Sequence, residues 1–226
     1  MKIYTMKQHL LDNSTNPDWL DVRAGHFTGS DFGIYMPLLK KDELCKTTQK
    51  ELCKKVLENF GYRFEQFQTP EMLTGTEREP TAREAYSFVY GKDVQEVGFV
   101  DYESLHAGCS PDGVITSDGN EVKKDGSNIK DIIEIKCPSV AEFAMYLDDD
   151  YIKNNYTHQI QFNLFITGAD VCHFVVYHPD FNLIVRDIPK DEEMQNKIQT
   201  ALEKLQGMYD EMYERISKQK LETVEE

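Results

Sequence analysis

Two short stretches of this 226-residue chain carry residues that could do chemistry together. One is Cys109-Ser110-Pro111-Asp112-Gly113 and the other is Ile132-Ile133-Glu134-Ile135-Lys136-Cys137-Pro138. The second has the β-branched, apolar character of a strand. Side chains alternate faces along a strand, so Glu134 and Lys136 share one face while Ile133 and Ile135 turn the other way into apolar packing. An acid and a lysine side by side on an apolar strand call for a partner or a use. Asp112 stands in a turn upstream, and a hairpin or meander can return it to the same end of the sheet. Two hard carboxylates can hold Mg²⁺ through oxygen. Such an ion polarises a phosphoryl oxygen and steadies a leaving group. A neighbouring lysine can orient or deprotonate water, or stabilise developing charge. Phosphodiester hydrolysis needs this combination, to which Ile135 can add only its backbone carbonyl as a ligand. The plain alternative is a turn aspartate plus an exposed Glu–Lys pair, and the spacing of Glu134 and Lys136 alone does not separate the two.

The elements that must position these residues change character along the chain. A helix is expected from about Asn16-Pro17-Asp18, carrying Trp19 into the core. Thr28-Gly29-Ser30-Asp31 breaks the pattern and caps another short helix, with Ser30 a suitable N-cap. Residues 42–60 form a helix with apolar Leu44, Leu52, Val56 and Leu57, stopped by Gly61. Another runs from Glu79 to Tyr90 and ends at Gly91. Before it, Thr76-Glu77-Arg78-Glu79 reads as a capping box, with Pro80 in the first turn. Short strands are expected over 94–100, 105–109 and 114–115. Ile129 to Cys137 is the clearest strand, and Pro138 fits the first turn of a helix over 139–148. Residues 153–167 read as helix, and Val171–His178 and Leu183–Ile188 as strands joined by Pro179-Asp180-Phe181-Asn182. An amphipathic helix over about 190–220 closes the chain, with Met194, Ile198, Leu202, Leu205, Met208, Met212 and Ile216 at spacings of three and four. The pattern is an α/β or α+β fold, a mixed central sheet flanked by helices, in a single domain over 1–226.

Composition narrows the class. Formal net charge is −15, which at first opposes nucleic-acid binding. The excess is uneven: residues 1–100 carry 13 basic and 15 acidic side chains, residues 101–226 carry 12 and 25. Metal-site carboxylates and an acidic C-terminal helix account for part of the second half, and a basic groove in the first remains open. No stretch approaches 18 apolar residues, so no membrane span is expected, and the N-terminus lacks the apolar run of a signal peptide. The five cysteines form no CxxC pair, which points to a reduced, cytoplasmic setting and to small buried hydrophobes. The six histidines show no ligand spacing and read as structural or surface residues. The last residues, Thr223–Glu226, read as frayed.

Taken in order, several motifs resemble the lambda-exonuclease family of phage recombination nucleases, also called YqaJ-like, within the PD-(D/E)xK superfamily. They are Trp19-x-x-x-Arg23 with Thr28-Gly29-Ser30, then Gly75-Thr76-Glu77-Arg78-Glu79-Pro80-Thr81-Ala82-Arg83, Cys-Ser-Pro-Asp-Gly, Glu-Ile-Lys-Cys-Pro, and His158-Gln159-Ile160-Gln161. The match spans about residues 19–165. The resemblance implies a restriction-endonuclease-like core and 5′-to-3′ digestion of one strand of linear duplex DNA, leaving a 3′ single strand for annealing. It implies metal ligation by Asp112, Glu134 and the Ile135 carbonyl, with Lys136 catalytic, Glu79 near the metals and Gln159 beside the site. Arg23, Ser30 and Ser110 match positions that hold a 5′-phosphate. Also implied are two Mg²⁺ ions (Mn²⁺ suits the same oxygen ligands), a homotrimeric ring around DNA ends, a single-strand annealing protein as partner, and a phage or prophage source. Competing readings are a PD-(D/E)xK endonuclease and a non-catalytic DNA-end-binding factor. Iron–sulphur relatives are disfavoured because no cysteine cluster follows Cys137.

Overall fold

The structure, a computed structural model, describes residues 2–4, 17–64, 69–102 and 104–219, and the side chains among them from residue 20 onward. The packing of Trp19 and the ending Thr223–Glu226 lie outside that description. Among the described residues, eight strands form two four-stranded sheets rather than one. The first holds β1 (Lys2–Tyr4), β2 (Phe27–Thr28), β3 (Phe99–Tyr102) and β4 (Ala107–Cys109), in the order β1-β3-β4-β2. The second holds β5 (Gly113–Thr116), β6 (Ile129–Lys136), β7 (Val171–Val176) and β8 (Ile184–Pro189), in sequence order. Each sheet is mixed: β2 runs parallel to β4 and β6 parallel to β7, while the other pairs are antiparallel. A parallel pair needs a crossover, and between β6 and β7 it is α5 (Val140–Phe143), a 3-10 turn over Ala144–Leu147, and α6 (Asp149–Thr167).

The remaining helices are α1 (Pro17–Arg23), α2 (Gly29–Phe32), α3 (Lys46–Glu58), α4 (Pro70–Tyr90) and α7 (Glu192–Ser217). A 3-10 helix, Gly33–Leu39, follows α2; nothing in the apolar periodicity announces it. Strand β6 is covered on both sides. Ile133 and Ile135 pack with Ile115, Val175 and the α4 residues Ala82 and Tyr86. Ile132 joins the larger core with Phe174, Val176, α6 residues such as Ile160 and Leu164, and α7 residues Ile198, Leu202 and Leu205. Glu134 and Lys136 lie on the α6 side, so the alternation expected from the sequence holds.

Several boundaries move, each for a local reason. Helix α4 starts at Pro70, not Glu79. Its N-cap is Thr69, whose hydroxyl accepts from the Met72 amide, and Pro70 occupies the first turn, where its missing N–H costs nothing. The stretch Thr76–Glu79 is therefore helix interior and not a capping box, and Pro80 lies inside the helix. Thr28, not Ser30, caps α2: the Thr28 amide donates to Asp31 Oδ1 at 3.0 Å. Ser139 caps α5, which leaves Pro138 outside the helix. Helix α3 begins at Lys46, later than expected, and Gly61 beyond its end adopts φ +88°, the left-handed region open to glycine.

Candidate active site

Strand β5 pairs with β6 with Gly113 opposite Ile133. The residue before Gly113 therefore lies at the end of β6 that carries Glu134 and Lys136. The Asp112 amide donates to the Ile133 carbonyl at 3.1 Å, extending the ladder by one residue. Asp112 Oδ2 accepts from the Ile135 amide at 2.6 Å. Backbone groups two residues apart on a strand point the same way, so the Ile135 carbonyl shares the Asp112 side with that of Ile133. Arg83 on α4 donates from Nε to the Asp112 carbonyl at 2.7 Å, which ties the turn to the helix.

Glu134 is only 3% exposed, and among the described residues three side chains donate to it. Lys136 Nζ and Gln159 Nε2 each reach Oε1 at 2.6 Å, and Asn163 Nδ2 reaches Oε2 at 3.2 Å. Gln159 and Asn163 stand one turn apart on α6, so both face β6. The Lys136 ammonium also lies 5.2 Å from the ring centroid of Tyr156, within cation–π range, and the Tyr156 and Tyr146 hydroxyls are 2.6 Å apart. Gln161 serves the fold instead: 3% exposed, it donates to the Pro189 carbonyl and accepts from the Asp191 amide, joining α6 to the start of α7.

Electrostatics show how crowded the acids are. Burial pushes the Asp112 carboxyl well above its usual range; Glu134 and Glu79 push it further, against Lys136 and the Ile135 amide. Burial likewise raises Glu79 from 4.5 to about 7, with Lys136 and Arg83 opposing and Glu134 and Glu96 adding repulsion. Burial alone would lower the Lys136 ammonium, but Glu134 and Asp112 outweigh it and hold it above its ordinary value. Lys136 is therefore a cation here, suited to stabilising negative charge.

These donors fit a hard divalent cation. Asp112 and Glu79 are acids that burial and mutual repulsion hold toward the neutral form, and a nearby cation would reverse that preference. The Ile135 carbonyl adds a neutral oxygen of the kind Mg²⁺ accepts. Among the described residues, no three His, Cys, Asp or Glu side chains stand together in a group that could hold a metal ion by themselves.

A second cluster involves Arg23 at the end of α1. Its Nη2 donates to Thr28 Oγ1 at 3.1 Å and Ser30 Oγ at 3.0 Å. Burial lowers the Arg23 guanidinium from its ordinary value, while Asp31 and Glu58 hold it up. Nearby on α1, Asp21 pairs with Arg63 at 2.6 Å. Ser110 is half-buried just past β4, two residues before Asp112. Helix α2 has four residues, too short for a strong dipole, so anion binding here would rest on the guanidinium and hydroxyls. The structure thus brings Asp112, Glu134, Lys136, Gln159 and the charge of Glu79 to one end of β6, and sets Arg23 with Ser30. Sequence reasoning misses Asn163, Tyr156, Arg83 and Thr28. A one-turn step along a helix finds two of them: Asn163 from Gln159, and Arg83 from Glu79.

The chain matches the YqaJ-like viral recombinase domain over residues 18–170. Among solved structures, it is similar to an alkaline exonuclease (LHK-Exo) from Laribacter hongkongensis, with a TM-score of 0.73 and 23% identity, covering 90% of this chain and 97% of that one. The same protein in complex with dAMP gives a TM-score of 0.72 at 23% identity, with the same coverage. A phage-related exonuclease from Haemophilus somnus 129PT gives 0.64 at 17% identity, covering 84% of this chain and 96% of that one. At these identities the likeness is one of fold. No curated protein sequence matches the chain. With its mixed sheets flanked by helices and a family match covering well over half its length, the chain belongs to the YqaJ-like viral recombinase family.

Proposed function

We propose that the chain is a divalent-cation-dependent deoxyribonuclease that digests one strand of linear duplex DNA in the 5′-to-3′ direction, leaving a 3′ single strand for annealing. The observation that carries this reading is the convergence of Asp112, Glu134 and Lys136 at one end of β6, with Gln159 donating to Glu134. The likeness in fold to proteins named exonucleases supports it, as does the family's recombinase name.

In this reading Asp112, Glu134, the Ile135 carbonyl and Glu79 would hold one or two Mg²⁺ ions, with Mn²⁺ able to substitute. When bound, the metal supplies Lewis-acid polarisation of the phosphoryl oxygen and lowers the pKa of attacking water. Lys136, held cationic, stabilises charge developing on the phosphate. Gln159 fixes the Glu134 carboxylate so that it need not reorganise during the reaction. Arg23 and Ser30, with Ser110 near the metal site, would hold a terminal 5′-phosphate and so set which bond lies over the carboxylates. A closed ring, a homotrimer in this proposal, would keep an acidic protein on DNA by topology in place of salt-sensitive attraction. DNA ends and a single-strand annealing protein are the proposed partners.

The test is digestion of matched linear and closed circular duplexes, with strands labelled at the 5′ or 3′ end, with and without Mg²⁺. The expected outcome is metal-dependent nucleotide release from linear DNA only, beginning at the 5′-labelled ends. Nicking of the circle would favour an endonuclease, and binding to ends without release would favour a non-catalytic recombination factor.

A further inference from the structure

Asn163 is 3% exposed, on the face of α6 that meets β6. Its Nδ2 donates to Glu134 Oε2, whereas Oε1 takes both Lys136 and Gln159. Its other side meets α2. A Cβ added to Gly29 would lie 2.3 Å from Asn163 Oδ1 and 3.1 Å from the Gln159 carbonyl oxygen. Real Cβ atoms do not approach a neighbour so closely, so Gly29 lets α2 seat against the Asn163 amide. Ser30, the hydroxyl that Arg23 holds, is the next residue. One buried amide thus touches both clusters: Nδ2 on the proposed metal carboxylate, Oδ1 on the helix carrying the Arg23 partners.

We propose that Asn163 is a positioning residue that pins the Glu134 carboxylate and fixes its distance from the Arg23–Thr28–Ser30 cluster. The proposal rests on the reading of Glu134 as a metal ligand. Each carboxylate oxygen has about two lone-pair sites. On Oε1 Lys136 and Gln159 take two, while on Oε2 Asn163 takes one and leaves the other for a cation. Removing the amide frees the carboxylate to rotate and leaves a buried oxygen short of a donor, which weakens metal binding without deleting a ligand. Gly29→Ala forces a methyl into the Asn163 amide and should disturb Glu134 through it. Where Asn163 is already alanine, the 2.3 Å clash is gone and the methyl meets only the Gln159 carbonyl oxygen, at 3.1 Å.

The test is calorimetric titration of the DNA-free full chain with Mn²⁺ alone, at a temperature where circular dichroism shows every variant folded. Groups that orient metal ligands typically alter affinity by about 10–100-fold when removed. Asn163→Ala should therefore bind Mn²⁺ about tenfold or more weakly than wild type. Gly29→Ala should also bind more weakly, and the double variant no more weakly than Asn163→Ala. Asn163→Ser, which keeps a donor on the same Cβ but one bond shorter, should fall between wild type and alanine, and serves if the alanine chain does not fold. Wild-type affinity in Asn163→Ala, or in Asn163→Ser where only that chain folds, overturns the proposal while leaving the metal reading intact. So does independent, multiplying loss in the double variant, the mark of two separate packing defects. Absence of Mn²⁺ binding in wild type overturns the metal reading and this proposal with it.

Discussion

Replacing Glu79 by glutamine in the metal-free protein puts the electrostatics of the acid cluster to a direct test. Burial, then repulsion from Glu134 and Glu96 against the opposing pull of Lys136 and Arg83, raises Glu79 from 4.5 to about 7. A carboxyl raised in the folded state binds more protons folded than unfolded. Its contribution to stability is therefore complete below 4.5 and lost as pH rises through about 7. That interval corresponds to on the order of 3 kcal/mol. Glutamine has nearly the same shape and never ionises. In a chelator, Glu79→Gln should melt close to wild type at about pH 4.5 and above it at about pH 8. For a chain of this size each kcal/mol moves the melting temperature by about 2–4 °C, so the gap at the higher pH is at most roughly 6–12 °C. Partial exposure of Glu79 places the expected value toward the lower end. The assay is thermal denaturation of both proteins at both pH values, and comparison at one pH cancels the titrating groups that do not feel the Glu79 charge. A glutamine variant equal to wild type at the higher pH, or less stable, refutes the claim that Glu79 is a strained acid beside Glu134.

Asp112→Ala, Glu134→Ala and Lys136→Ala should each nearly abolish digestion of linear DNA. The two carboxylate variants should also lose metal affinity by calorimetry, whereas Lys136→Ala should keep it: removing a positive charge beside the site favours a bound cation, which offsets the loss of one of the two donors on Glu134 Oε1. Arg23→Ala should slow digestion of 5′-phosphorylated ends by roughly tenfold or more, since about 1.4 kcal/mol is one decade in rate. The rate on 5′-hydroxyl ends should barely change, and equal slowing of both would make Arg23 a general contact. Light scattering at working concentration should give a mass near three times that of one 26.2 kDa chain, and a monomer would remove the ring.

Much of the candidate site is readable from the residues because it depends on local geometry. The two-residue period of β6 puts Glu134 and Lys136 on one face whatever the rest of the fold does. The turn Ser110-Pro111-Asp112-Gly113 has to return toward a neighbouring strand, and Gly113 does pair opposite Ile133. The start of α4 is misread because Thr76–Glu79 and Pro80 imitate a helix start. The stronger signal, Thr69-Pro70, lies well upstream without an apolar stripe behind it.

The strand, its acid–lysine pair and the chemistry that such a pair with Asp112 permits all follow from the order of residues alone. Which groups hold Glu134 in place was decided by folding in three dimensions. Lys136 comes from the same strand, but Gln159 and Asn163 come from α6, across the parallel crossover, while Arg83, which ties down the Asp112 turn, and Glu79 arrive on α4. No local period links residues 25 or more positions apart. Their meeting is set by how helices seat on the sheet, and in α2 by the absence of a single Cβ at Gly29. The split of the strands into two sheets is of the same kind. It follows from non-local pairing such as β2 with β4, where segments of two and three residues carry too little pattern to announce their partner.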